Sequence, residues 1–266
     1  MYSIPGIKRR GSSILFLAGL LGLLMSSPAA AQQPDSAAQS LRAFYCVLGS
    51  DSVALYYTPD YELTLPGCAT IRRHTRINSA GQFFGFVRDY WLSNNQPALK
   101  GAYNAQGRKE GPFEIYHPDG TVAASGTYHN GRQIGNWGYW YPSGAKRQVL
   151  SFGDGTLTLI QQFWSETGEQ LVKDGTGTWY RTEEQVRLGG PVLNGRPDGR
   201  WQVKELTGKN ALVAQENYRK GRFVSGFARS SGVYYTDEPT IYITDWDNYS
   251  EAEQFKTRPV CPPSAK

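Results

Sequence analysis

The chain has 266 residues, 28 basic and 23 acidic, and a formal net charge of +5. Three of the basic residues, Lys8, Arg9 and Arg10, belong to an N-terminal targeting pattern, which leaves 25 basic against 23 acidic from Gln32 onward. A balance that close supplies little electrostatic steering, so it argues against nucleic acid and anionic lipid as partners.

In chain order, the first element is an address. The basic residues precede an apolar run over 14–25, Ser26, Ser27 and Pro28 break it, and Ala29, Ala30 and Ala31 offer a cleavage point before Gln32. That order is the signal-peptide pattern. The run has 12 residues, against about 20 needed to span a bilayer as a helix. The expectation is export to a periplasm or beyond, with no integral membrane segment after cleavage; an uncleaved anchor is the alternative.

Residues 32–80 read as an N-terminal cap region. An oxidising compartment permits disulfides, and Cys46 and Cys68 lie close in sequence. A bridge between them closes a loop of about 22 residues and adds about 3 kcal/mol on the chain-entropy argument. Cys261, in a Pro-rich end, is then the odd one, and sequence leaves open its pairing with either of the others. Arg72, Arg73, His74 and Arg76 form a local basic cluster that reads as a solvated strand edge or loop.

Helical signal is confined to two short stretches, 35–41 and 249–255. Elsewhere aromatic, Val and Thr runs are bounded by Gly, Pro, Asn and Asp, the signature of strands and hairpins. The class is all-β. From Gly107 the chain repeats itself: Gly107, Gly111, Phe113, Tyr116, Gly120 and Tyr128 recur 24 residues later as Gly131, Gly135, Trp137, Trp140, Gly144 and Phe152. A shared offset of that kind marks stacked units that complete one another's apolar faces. One unit reads as a strand over 113–117, a turn at Pro118-Asp119-Gly120 and a return over 122–128. Asn130-Gly131 then turns the chain into the next unit. That unit runs over 137–141, turns at Pro142-Ser143-Gly144 and returns over 149–152.

Weaker copies flank these two, from Gly81, Gly85, Val87 and Tyr90 upstream to Trp164 and Gly168 downstream. The register slips over 174–188, where Gly177 and Trp179 suggest an irregular strand pair. It returns at Asn194-Gly195, Gly199 and Trp201, and Tyr218, Gly221 and Gly226 close the series. The array therefore covers 81–226 in five or six units, and 227–266 is left as a tail without assigned structure.

The Gly-x-x-x-Gly-x-Trp spacing, followed by an aromatic, a turn glycine and Gly-x-Tyr, resembles the MORN repeat. It is most similar to the bacterial antitoxin-like (YwqK-type) variant, on the strength of 85–90 and 130–141. The resemblance implies an elongated single-layer antiparallel sheet of stacked β-hairpins, advancing about 10 Å per unit. It also implies a partner-binding role, with neutralisation of a toxin partner as one form.

Period-2 alternation sorts the aromatics into columns on opposite faces. Val87, Phe113 and Trp137 form one. Tyr90, Tyr116, Trp140 and Trp164 form the other and are the candidate ligand-binding residues, able to stack against a sugar, a lipid edge or a partner's side chains. The alternative role of that column is glue between hairpins, since aromatic cross-strand pairs contribute up to about 1 kcal/mol each.

No catalytic constellation emerges. His74, His117 and His129 have no metal-ligand spacing, and no nucleophile elbow or Walker loop is present. Gly175-x-Gly177 lacks the third glycine of a nucleotide loop, and Asp245, Asp247 and Asn248 lack the glycine and closing Glu of a calcium loop. Asp237, Glu238, Asp245 and Asp247 read instead as a solvated acidic patch. The expectation is an exported, non-catalytic scaffold with no cofactor and no metal, binding a protein or a cell-envelope component (glycan or lipid included). Its rivals are an antitoxin or immunity protein and an envelope enzyme with a site in 227–266.

Overall fold

The computed structural model describes residues 45–239 apart from 60, 80, 154–157, 184, 208–209, 230 and 238. The expected signal segment, both helix-competent stretches, Cys261 and the acids Glu238, Asp245 and Asp247 lie outside the described residues. Within them the chain forms one open antiparallel sheet of 18 strands, taken up in sequence order.

The strands begin with β1 (Tyr45–Val47), β2 (Ser52–Tyr57), β3 (Ile71–Ile77), β4 (Phe83–Trp91), β5 (Pro97–Tyr103) and β6 (Gly111–Tyr116). The middle comprises β7 (Val122–His129), β8 (Arg132–Trp140), β9 (Lys146–Phe152), β10 (Thr158–Trp164), β11 (Gln170–Lys173) and β12 (Thr176–Glu183). The last six are β13 (Val186–Leu193), β14 (Arg196–Pro197), β15 (Gly199–Glu205), β16 (Leu212–Arg219), β17 (Arg222–Ala228) and β18 (Val233–Tyr235). Short β14 pairs with β13, which also pairs directly with β15. The sheet runs without a break through 80/81 and 226/227, so β18 belongs to the stretch the sequence left unassigned.

The turns follow from local chemistry. Asn130-Gly131 has φ of 52° and 84°, and Asp174-Gly175, Asn194-Gly195 and Lys220-Gly221 also place both residues at positive φ. Two consecutive positive φ values define the type I′ turn, whose twist matches that of the strands it joins. These turns also stack: the amide N–H of Gly131 donates to Lys109 O at 2.9 Å, and those of Gly195 and Gly221 donate to Gly175 O and Pro197 O. The stretch 174–188, where the sequence register slips, holds the turn after β11, then β12 and the start of β13, in the same continuous sheet.

A single-layer sheet has no second layer to cover its apolar face. Here the face curves onto itself. Trp179 on β12 donates its Nε1–H to Gln148 Oε1 on β9 at 2.7 Å, across two intervening strands. Trp179 also stacks on Trp201 at 5.5 Å between centroids, and Arg73 on β3 reaches Tyr103 on β5. Val87, Trp137, Trp179 and Trp201 are each fully buried as a result, with Phe113 nearly so.

Flat aromatics on bare backbone make this possible. A Cβ added at Gly101, Gly126, Gly190 or Gly226 would lie 2.1–2.5 Å from the nearest ring atom of Phe113, Trp137, Trp201 or Tyr235. The indole N–H groups are satisfied the same way in distant units: Trp137 donates to Thr127 O at 3.1 Å and Trp201 to Pro191 O at 2.8 Å. Each tryptophan thus bonds the residue that follows its glycine, and the unit geometry reappears beyond the sequence slip.

The Cys46–Cys68 bridge expected from sequence is not made: Cys46 is a free, exposed thiol. Cys46 pairs with Ala54 near the middle of β2, whereas Cys68 precedes Thr70, whose N–H bonds Tyr57 O at the strand's far end. Cys46 thus sits on β1 beside the middle of β2, whereas Cys68 ends the short helical turn Pro66–Cys68 in the connection that leads into β3. The solvated reading of the 72–76 cluster also needs correction, because Arg73 is buried on the core face.

The glycine seats are testable. Gly126→Ala should destabilise the protein by about 1–3 kcal/mol through overpacking against Trp137, read as a lower urea midpoint. Gly67→Ala, where a Cβ meets nothing within 4 Å, should leave the midpoint unchanged.

Candidate binding face

Tyr90, Tyr116, Trp140 and Trp164 lie opposite the closed core and are each partly exposed. They share a backbone device. The strand register shifts between Asp89 and Tyr90, Ile115 and Tyr116, Tyr139 and Trp140, and Phe163 and Trp164. The extra residue of each bulge lies on the facing strand, Ala98, Ala123, Arg147 and Leu171 in turn, so each ring stands opposite an irregular point, just before the turn that ends its strand. Trp140 folds its indole over Gly138, where a Cβ would approach it to 2.5 Å.

The adjoining turns are stitched at the same place. His117 Nε2–H donates to Trp140 O at 3.0 Å, and the Tyr141 hydroxyl, 24 residues later in the repeat, donates to Trp164 O at 2.7 Å. Burial pushes the Tyr141 hydroxyl up to about 12, which keeps it a donor. His117 is therefore a turn-stacking residue. His129 meets Glu110 Oε1 at 2.8 Å, while His74 packs against Tyr90 at 5.3 Å. Burial, with help from the Arg72 charge, lowers the His74 pKa. Among the described residues no group of three or more His, Cys, Asp or Glu is placed to hold a metal.

Cations cover the rings. Arg72 lies 5.6 Å from the Tyr90 centroid, Lys100 lies 4.9 Å from Tyr116, and Lys146 lies 5.9 Å from Trp164. Such contacts contribute about 0.5–1 kcal/mol at exposed sites. Across β3, β4, β5 and β6 the register sets His74 opposite Arg88, Arg88 opposite Lys100 and Lys100 opposite Glu114. Like charges in directly opposed positions destabilise a sheet. Glu114 also accepts the Tyr116 hydroxyl, and Arg76 is held by Asp51. The N-terminal half of this face is thus basic and aromatic; the C-terminal half adds amides such as Gln162, Gln202 and Gln215 to a further cation–ring pair, Arg187 at 4.6 Å from the Tyr180 centroid.

Beneath it lies a polar knot in the core. Arg73 makes two bonds to Asp89, Nε to Oδ1 at 2.8 Å and Nη2 to Oδ2 at 2.9 Å, and donates to the Tyr103 hydroxyl at 3.2 Å. The rings of Tyr57, Tyr61 and Phe83 surround its guanidinium at 5.0, 5.6 and 5.5 Å. A second knot lies at the other end, where Tyr218 and Tyr235 donate to buried Glu216 at 2.6 and 2.8 Å. Burial first, and then Glu216, raises the Tyr218 hydroxyl, so it stays protonated.

All four ring positions singled out from sequence fall in one column. The cations beside them were missed, although alternation already set Arg72, His74 and Arg76 on one face and Arg73 with Ile71 and Thr75 on the other. Compared with known proteins, the chain matches no family model and no curated protein sequence.

Asp89→Ala strands a buried guanidinium and should cost about 3–5 kcal/mol by urea unfolding, most of it regained in Arg73→Met combined with Asp89→Leu. The Glu110 carboxyl titrates below its usual range because the Asn130 N–H, and then His129, hold it ionised. A depressed carboxyl stabilises above its unfolded pKa and loses that contribution as pH falls through the folded one. Glu110→Gln should therefore melt lower than the parent at pH 7, and the gap should close as pH falls below 4.5.

Proposed function

We propose that the chain is an exported, non-catalytic scaffold of MORN-type repeats that binds a protein or a cell-envelope component through its outer face. Tyr90, Tyr116, Trp140 and Trp164 are the contact residues, and Arg72, Lys100 and Lys146 frame them. One observation carries this reading: the four rings stand at bulges on the side of the sheet that the core does not need. Large apolar burial is already achieved by Phe113, Trp137, Trp179 and Trp201 on the opposite face. Rings used only as glue would be expected to face other rings across the strands, whereas the residues paired with these four at the bulges are Pro97, Val122, Lys146 and Gln170. The N-terminal pattern of basic residues, apolar run and small residues supports export.

The test replaces Trp140 and Trp164 with Leu in the full chain. Retained folding by circular dichroism, with an unfolding free energy in urea lowered by no more than about 1 kcal/mol per site, should accompany loss of the material recovered by in-cell cross-linking to the parent. Unchanged recovery from a folded variant would remove the column from the interface. A variant that aggregates would assign the column to packing. Survival assays beside a genetically adjacent toxin distinguish an immunity role from an envelope scaffold.

A further inference from the structure

Charge is nearly balanced over the chain but not over its surface. On the outer face the register lines up three basic side chains, His74 on β3, Arg88 on β4 and Lys100 on β5, each directly opposite the next. Arg88 and Lys100 are exposed, and burial, with help from the Arg72 charge, favours neutral His74. Like charges in opposed positions weaken a sheet, so the row lowers the stability of the strands that carry it. Among the described residues, Arg72 and Arg88 form no ion pair. The carboxylate that ends the row, Glu114 opposite Lys100, already accepts the Tyr116 hydroxyl. We propose that this row and the rings beside it bind a linear polysaccharide bearing carboxylate groups, laid across β3 to β6. The inference rests on the binding role proposed above for the outer face and names the class of its ligand.

Two parallel lines set the fit. The basic groups run perpendicular to the strands, about 4.8 Å apart from one strand to the next. Tyr90 lies two residues beyond Arg88 on β4, and Tyr116 lies two residues beyond Glu114 on β6. The rings therefore form a second line about 7 Å from the first. Cations and rings already meet between the lines, with Lys100 4.9 Å from the Tyr116 centroid and Arg88 5.7 Å from that of Phe86. A sugar bearing a carboxylate satisfies both lines at once. Its carboxylate pairs with a guanidinium or ammonium, and its C–H face lies against the negative face of the neighbouring ring. A polymer repeats that pairing from strand to strand.

Other anionic partners fit less well. An extended peptide gains affinity from main-chain hydrogen bonds at a sheet edge, whereas β4 and β5 are paired on both sides. A lipid surface needs contiguous apolar side chains to enter the acyl boundary, whereas Tyr90 and Tyr116 each have a cation against them.

Calorimetric titration of the full chain with polygalacturonate tests the assignment. The polymer should bind, its fully methyl-esterified form should bind much more weakly, and binding should weaken as salt rises from about 0.1 M to about 1 M, where the screening length falls from about 10 Å to about 3 Å. Arg88→Gln and Lys100→Gln should each weaken it about two- to fivefold, the range an exposed ion pair supplies. Lys100→Arg should bind as the parent does. Each Gln variant removes a charge from an opposed pair, so its urea midpoint should be no lower than the parent's. Equal binding of the esterified polymer, equal or tighter binding of poly-L-glutamate or of phosphatidylglycerol vesicles, or Gln variants that bind as tightly as the parent would overturn the proposal. So would a midpoint that falls in step with the loss of binding, which would assign the row to packing. The two readings fail separately. No polymer binding by a chain whose cross-linked partner still depends on Trp140 and Trp164 removes the polysaccharide and leaves the binding column. Polymer binding that depends on Arg88 and Lys100 but not on Trp140 and Trp164 leaves the polysaccharide and removes those two rings from the interface.

Discussion

Everything in this fold depends on how one sheet closes its own apolar face. With no opposing layer, burial comes from rings laid flat across neighbouring strands, and a flat ring needs a strand without a side chain beneath it. Gly101, Gly126, Gly190 and Gly226 provide those seats. The glycine loses backbone entropy on ordering, but the ring above it excludes water from both strands and from the peptide groups between them. Because each seat lies under a ring from the next unit, no unit is complete alone, which is the physical content of the repeat.

That constraint also decides where polarity is tolerated in the core. Arg73 replaces an apolar residue at the cap end, and its charge is acceptable because Asp89 matches it bidentately while three rings fill the remaining surface. Glu216 is treated similarly by two tyrosine hydroxyls near the opposite end. Between these knots Trp179 and Gln148 make the middle specific. Three directional contacts spaced along the sheet resist sliding of one unit past another, which flat aromatic packing alone would permit.

Much of this was legible in the amino acids. The 24-residue offset, the Asn-Gly turns and the two-residue alternation correctly separated Phe113 and Trp137 from Tyr116 and Trp140. Arg73 was misjudged because a run of charges outweighed its alternation with Ile71 and Thr75. The bulges were not legible, since a register shift arises from two strands accommodating each other and leaves no mark on either alone. The Cys46–Cys68 bridge was expected from proximity in sequence, but pairing sets Cys46 on β1 opposite Ala54, whereas Cys68 lies in the connection between β2 and β3.

The bulges connect packing to binding. A regular strand would alternate strictly and direct residue 116 with the same geometry as residue 114. The shift between Ile115 and Tyr116, repeated before Tyr90, Trp140 and Trp164, leaves an extra residue on the facing strand, Ala123, Ala98, Arg147 and Leu171 respectively, beside each ring's partner. The residues opposite the rings, Val122, Pro97, Lys146 and Gln170, include no aromatic, so the aromatic cross-strand pairs that stabilise a sheet are not formed there. The arrangement recurs in four successive units, while the fully buried rings lie on the other face. A regular spacing of partly exposed rings is what the proposed binding role requires, and here it is tied to where each facing strand gains its extra residue.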